Sequence, residues 1–116
     1  MLTYFGAQSI LGSRDRKKLE NNTYLERCDL GDGYFAVVLH RTEVVKIYRD
    51  GTYVLSSGGW LTLTTRKRIN KYSPAFIWQK NFTWFLASYL DEKTEFFDGV
   101  RVDSTGHVVT AQAVTA

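Results

Sequence analysis

Asp50-Gly51 separates two runs of strand-forming residues, EVVKIYR at 43–49 and TYVLSS at 52–57. An Asp-Gly pair tolerates the positive φ angles of a type I′ turn, whose twist matches that of the strands it joins. The chain is therefore expected to double back here as an antiparallel hairpin. A two-residue loop sets Tyr48 opposite Tyr53, Ile47 opposite Val54 and Lys46 opposite Leu55. Aromatic pairing across the strands then adds up to about 1 kcal/mol over alanine.

Other segments follow the same logic. YFAVVLH at 34–40 is apolar on both faces, as a central strand covered on both sides requires. TYLERCDL at 23–30 reads as a strand that stops at Gly31-Asp32-Gly33. AFIWQ and FTWFL flank Lys80-Asn81 as a second hairpin. Asp98-Gly99 is a turn between EFF and VRV, and Ser104-Thr105-Gly106 leads into HVVT. One helix is expected, over residues 65–72, with Thr64 or Thr65 capping its start and Ile69 and Tyr72 on one face. Ser73-Pro74 ends it, because a residue before proline is pushed out of helical geometry. The expected fold is mainly β (α+β), with about seven to nine antiparallel strands as a sheet, barrel or sandwich and one short helix.

The 116 residues fit a single domain, 1–116, large enough to bury a core without disulfides or metals. Residues 1–22 read as an arm before the main fold, its polar part 12–22 being either mobile or a short helix. With a single proline the chain has no sign of a long disordered linker. Cys28 stands alone, which excludes an internal disulfide, suits a reducing cytoplasm and leaves no set of thiols for structural zinc. Asn21-Asn22-Thr23 and Asn81-Phe82-Thr83 match the glycosylation triplet by chance, since no secretory leader is seen. The longest apolar run, residues 34–39, is too short to span a bilayer.

Net charge is +3, but its distribution is uneven. Residues 66–80 hold Arg66, Lys67, Arg68, Lys71 and Lys80 and no acid, whereas 91–103 hold five acids against Lys93 and Arg101. A basic patch of this kind attracts polyanions; its bland alternative is a solvated charged loop. The aromatics Phe76, Trp78, Phe82, Trp84 and Phe85 are either core or, in part, a stacking platform, because strand alternation leaves only one face free.

Catalytic chemistry finds little support. His40 and Glu43, or Asp103 and His107, lack a nucleophile or a third group to converge with, and turn histidines account for both. No nucleophile elbow, Walker loop or metal-ligand spacing is present, so neither an enzyme nor a cofactor is expected. Cys28 reads as a half-buried strand cysteine rather than a reactive thiol. The stretch SSGGWLTLTTRKRIN, 56–70, is the best candidate for a site. Gly58 and Gly59 can place successive N–H groups in a concave anion nest, and the helix start adds more. Trp60, Thr64, Thr65, Arg66, Lys67, Arg68, Lys71 and Lys80 complete the expected polyanion-binding set. Cations in the first helical turn are slightly unfavourable, a conflict that a bound anion would remove. As a structural junction the same stretch needs Gly58 or Gly59 at positive φ and buries Trp60 against the helix near Ile69.

KKLENNTYL, VVLHRTEVVKIYRDGTYVLSSGGWLTLTTRKRIN and DGVRVDSTG together resemble a family of small bacteriophage-encoded proteins, over roughly Lys17 to Gly106. The shared signature is an Asn-Thr-Tyr-Leu start, a leucine-histidine strand, Gly-Gly-Trp, and Thr-Thr before a basic Arg-Ile-Asn helix. Leu61 and Leu63 depart from it toward a more strand-like loop. The resemblance implies a viral origin and no particular activity. The expectation is a non-enzymatic phage accessory protein in the cytoplasm of the infected host, binding a polyanion, foremost nucleic acid. The alternatives are a module that inhibits a host or defence protein and a structural virion component.

Overall fold

A computed structural model of the chain describes residues 1–29, 33–87 and 94–109. The Gly31-Asp32 break and the acidic Asp91 and Glu92 lie outside these residues. Among the described residues are two helices and nine strands, in two antiparallel sheets, so the mainly β expectation holds. The larger sheet has six strands in the order β1 (Arg16–Glu20), β2 (Thr23–Cys28), β3 (Tyr34–Leu39), β4 (Thr42–Ile47), β5 (Tyr53–Leu55) and β9 (Val100–Val102). The smaller pairs β6 (Phe76–Lys80), β7 (Thr83–Ala87) and β8 (Thr94–Glu95). Both sheets are open rather than closed into a barrel.

The first 22 residues do not stand off as an arm. Residues 4–11 form helix α1 (Tyr4–Leu11), capped by the Thr3 hydroxyl, which accepts from Gly6 N. It packs against β1, β2 and β3 with Ala7 and Leu11 fully buried. The polar stretch expected to be mobile or helical instead supplies β1, where Leu19 reaches the core and charged side chains face out. An edge strand tolerates this charge density, and it discourages pairing with another chain.

β3 sits inside the larger sheet as expected. Phe35, Val37 and Leu39 enter the main core, and Ala36 and Val38 on the opposite face are buried as well. The Asp50-Gly51 hairpin exists, but its register differs by one: Ile47 pairs with Tyr53, Lys46 with Val54 and Val45 with Leu55. The loop has three residues. Tyr48 N donates to Thr52 O, Gly51 N donates to Tyr48 O, and Gly51 takes φ 90°. Asp50 Oδ1 stabilises this longer loop by accepting from both the amide and the hydroxyl of Thr52. A one-residue slip moves every side chain to the other face, so Tyr53 joins the core while Tyr48 packs at a tilt against Tyr34 on the outer face.

The second hairpin turns on Asn81-Phe82, both at positive φ, with Lys80 paired to Thr83. Asp98-Gly99 is a turn, but it carries the chain from β8 in one sheet to β9 in the other rather than closing a hairpin. Gly106 turns the chain back so that Val108 bridges to Val102.

Helix α2 (Leu63–Tyr72) contains the expected 65–72 and begins two residues earlier. Its cap is Thr62, not Thr64 or Thr65. Thr62 is extended, and its Oγ1 accepts from Thr65 N and meets Thr65 Oγ1. That leaves Thr65 buried beneath the first turn. Ser73 ends the helix in extended geometry before Pro74, as expected. A continuous cluster of buried side chains runs from Leu11 and Leu25 through Ile69 to Ile77, Trp84 and Leu86, joining both helices and both sheets.

Candidate functional site

Two hairpin tips and the start of α2 surround a cleft of about 770 Å³. Asn21-Asn22 joins β1 to β2, with Asn22 at φ 54°, and His40-Arg41 joins β3 to β4, with His40 at φ 57°. Positive φ is uncommon outside glycine, and Asn and His are among the residues that tolerate it best. The tips are tied together: His40 N donates to Asn22 O at 2.8 Å. A bulge in β4 opposite Val37 and Val38 leaves Val44 as the extra residue. Bulges re-aim a side chain, and here Val44 is buried beside Val45 while lining the cleft floor with Leu39.

The third wall is residues 57–65. Gly58 and Gly59 take φ 61° and 85°, as a junction requires. The anion nest expected there is closed, because Gly58 N donates to Ser56 Oγ and Gly59 N to Ser57 Oγ. Nor is Trp60 buried against Ile69. The two left-handed glycines swing the chain outward, Trp60 N donates back to Ser57 O, and the Trp60 ring stands 68% exposed on the cleft rim. Leu61 and Leu63 are exposed too.

The expected cations divide into groups. Thr64, Lys67, Arg68 and Lys71 stand at i, i+3, i+4 and i+7, which places them along one side of α2. Thr64 and Arg68 line the cleft, and Lys67 and Lys71 are exposed. Arg66 falls outside this spacing, is half-buried, and has its Nε buried without a hydrogen-bond partner. Lys80 ends β6 in the smaller sheet and is not part of the cleft. The early helix start also weakens one expectation. Arg66 now closes the first turn and Lys67 and Arg68 fall in the second, so the dipole conflict that an anion would relieve is largely absent.

Arg68 is mostly covered: Nε donates to Thr23 Oγ1 at 2.8 Å and Nη1 lies 3.5 Å from Glu20 Oε1. Glu20 also accepts from Lys71 Nζ and from the Tyr72 hydroxyl. These bonds, Tyr72 first and Lys71 second, hold the Glu20 carboxyl below the ordinary glutamate range. Burial pushes the Tyr72 hydroxyl up, and its bond to Glu20 adds to this. Glu20 thus pairs with Arg68 and Lys71, two of the three cations of the row, and Lys67 and Arg41 have no ion pair among the described residues.

Several lining residues escaped the sequence reading as site residues: Asn21, Asn22, Arg41 and Thr42, together with His40, which it took for a turn histidine. Their signal was present in ENNT and LHRT, two short polar interruptions between strands that behave as two-residue turns. What could not be read was that the two tips meet. His107 and Cys28 sit elsewhere. His107 Nδ1 meets Thr105 Oγ1 at 2.8 Å within its own turn. Burial, followed by the Glu43 carboxylate, pushes the Cys28 thiol up, the reverse of activation. Among the described residues no group of three His, Cys, Asp or Glu side chains gathers as a metal site would require. Nor is any helix there long and apolar enough to cross a membrane.

No curated protein and no solved structure matches the chain. One family model does, over residues 6–103, which takes in most of α1, the six-stranded sheet, the cleft and the smaller sheet. That match covers well over half of the 116 residues. The chain belongs to the Kyanoviridae Gp96 protein family, a family of phage proteins.

Proposed function

We propose that this protein is a non-enzymatic accessory factor that binds nucleic acid in the infected host cell, through the cleft and the adjoining face of α2. The observation that carries the reading is the single-sided row Thr64, Lys67, Arg68 and Lys71, running beside a cleft whose rim holds Arg41 and an exposed Trp60. Lysine and arginine contact phosphates and aromatic rings stack on bases, so this pairing of chemistries suits a nucleic acid better than a compact anion. The closed glycine nest points the same way, since the usual backbone cradle for one phosphate is already satisfied.

The test is fluorescence anisotropy with labelled oligonucleotides over a salt series. Binding is expected to weaken linearly in log–log form as salt rises, because phosphate contacts release counterions. Replacing Arg41 and Lys67 with glutamate should abolish it and leave the fold intact, both side chains being exposed and neither bonded to Glu20. Binding that ignores both salt and this double reversal overturns the reading.

A second reading has its own observation. The β6–β7 hairpin exposes Phe76 at 57% and Phe82 at 91%, beside the stacked pair Trp78 and Phe85. Exposed aromatics at the two ends of a hairpin, Phe82 at its tip and Phe76 at its base, suit a protein partner such as a host or defence factor. Capture from host lysate that survives nuclease and is lost on replacing Phe82 would favour it.

A further inference from the structure

The geometry points to the cleft as a pocket for one unpaired nucleotide, an inference that rests on the nucleic-acid reading and makes it specific for single strands. A volume near 770 Å³ lies within the range of small-molecule pockets and exceeds what a lone phosphate would use. The floor is apolar where Leu39 and Val44 line it, which favours a flat, poorly hydrated group over a fully charged one. Trp60 offers a ring at the rim with most of its surface free, the arrangement base stacking needs.

The polar groups complete the match to a base with its phosphate. Asn21 and Asn22 are exposed and carry both donors and acceptors, the mixed pattern needed to satisfy a Watson–Crick edge. Arg68 lines the same space, and only its Nε and Nη1 are engaged by Thr23 and Glu20; its Nη2 has no hydrogen bond to a described residue. Arg41, exposed at the second tip, supplies a phosphate contact at the opening. Bases inside a duplex keep their faces stacked and their Watson–Crick edges paired, so a duplex can offer this cleft phosphates, sugars and groove edges but neither a free ring face nor a free Watson–Crick edge. An unpaired nucleotide offers all of its groups.

The test follows the Trp60 indole by ¹⁵N-edited NMR on the full chain. Three probes are titrated: a short single-stranded oligothymidylate, a duplex hairpin of equal length, and a mononucleotide. The single strand is expected to shift the Trp60 indole and to bind roughly tenfold or more tighter than the duplex. Trp60→Ala should bring the single strand down to the duplex level, and Arg41→Ala should weaken both oligonucleotides and the mononucleotide. Because both side chains are exposed, a thermal melt should show either variant folded. Equal affinity for both oligonucleotides, or a Trp60→Ala variant that binds as before, overturns the pocket while salt-dependent binding keeps the broader reading. A mononucleotide that shifts Trp60 with no strand binding upholds the pocket, with a free nucleotide as its source, and overturns the broader reading. If none of the three probes binds, both fail.

Discussion

Asp98, in the turn before β9, clamps Ser57 just past the end of the neighbouring β5, its Oδ1 accepting from the Ser57 amide at 2.7 Å and from the Ser57 hydroxyl at 2.8 Å. Ser57 is buried, and it begins the loop that carries Trp60. Asp98→Ala leaves two buried donors without a partner, so a loss of about 1–3 kcal/mol is expected in urea unfolding. Asp98→Asn keeps one acceptor and should lose less. Equal stability of all three proteins would show that the clamp carries no weight.

Gly58 and Gly59 are both left-handed, yet they should respond differently to alanine. A Cβ at Gly58 would lie 2.6 Å from Thr42 Cγ2, whereas one at Gly59 meets nothing within 4 Å. Gly59→Ala is expected to cost about 1 kcal/mol from backbone strain alone. Gly58→Ala should cost more, and Thr42→Ala should recover part of the difference. A double-mutant cycle in chemical denaturation measures this; additive effects would refute the contact.

Glu20 predicts an acid limb of stability. Its folded-state pKa lies below the ordinary 4.5, through the bonds from Tyr72 and Lys71. A depressed carboxylate contributes stability that is present above the unfolded value and is lost as pH falls through the folded one. Denaturation midpoints should thus fall as pH drops below about 4.5, and Glu20→Gln should flatten that fall. An unchanged slope in the variant would place the acid sensitivity elsewhere.

Phe82 occupies the hairpin tip at φ 63° with its side chain 91% exposed. Left-handed geometry costs a non-glycine residue about 1–2 kcal/mol. Phe82→Gly yields an Asn-Gly tip, the preferred type I′ sequence, and should raise the melting temperature. A fall instead would mean that the ring makes a stabilising contact.

The turns, the buried central strand β3 and the proline-bounded end of α2 were legible from residues 34–74 because each rests on local rules: positive φ at glycine, apolar alternation, the restriction before proline. Register was not. Asp-Gly serves equally in two- and three-residue loops, and the choice at 49–51 follows from Thr52 binding Asp50 and Tyr53 entering the core. The cap lay at Thr62 rather than Thr64 because three threonines offered the same hydroxyl, and packing buried Thr65. The junction reading puts Trp60 against the helix near Ile69, but the backbone path with its two left-handed glycines leaves it at the surface. The cleft belongs wholly to the tertiary level. Asn22, His40 and Trp60 are tens of residues apart, and a hydrogen bond between two turns, a bulge at Val44 and a clamp from Asp98 bring their elements together. Local propensity carries no information about such distances, because they are decided by which faces the shared core covers.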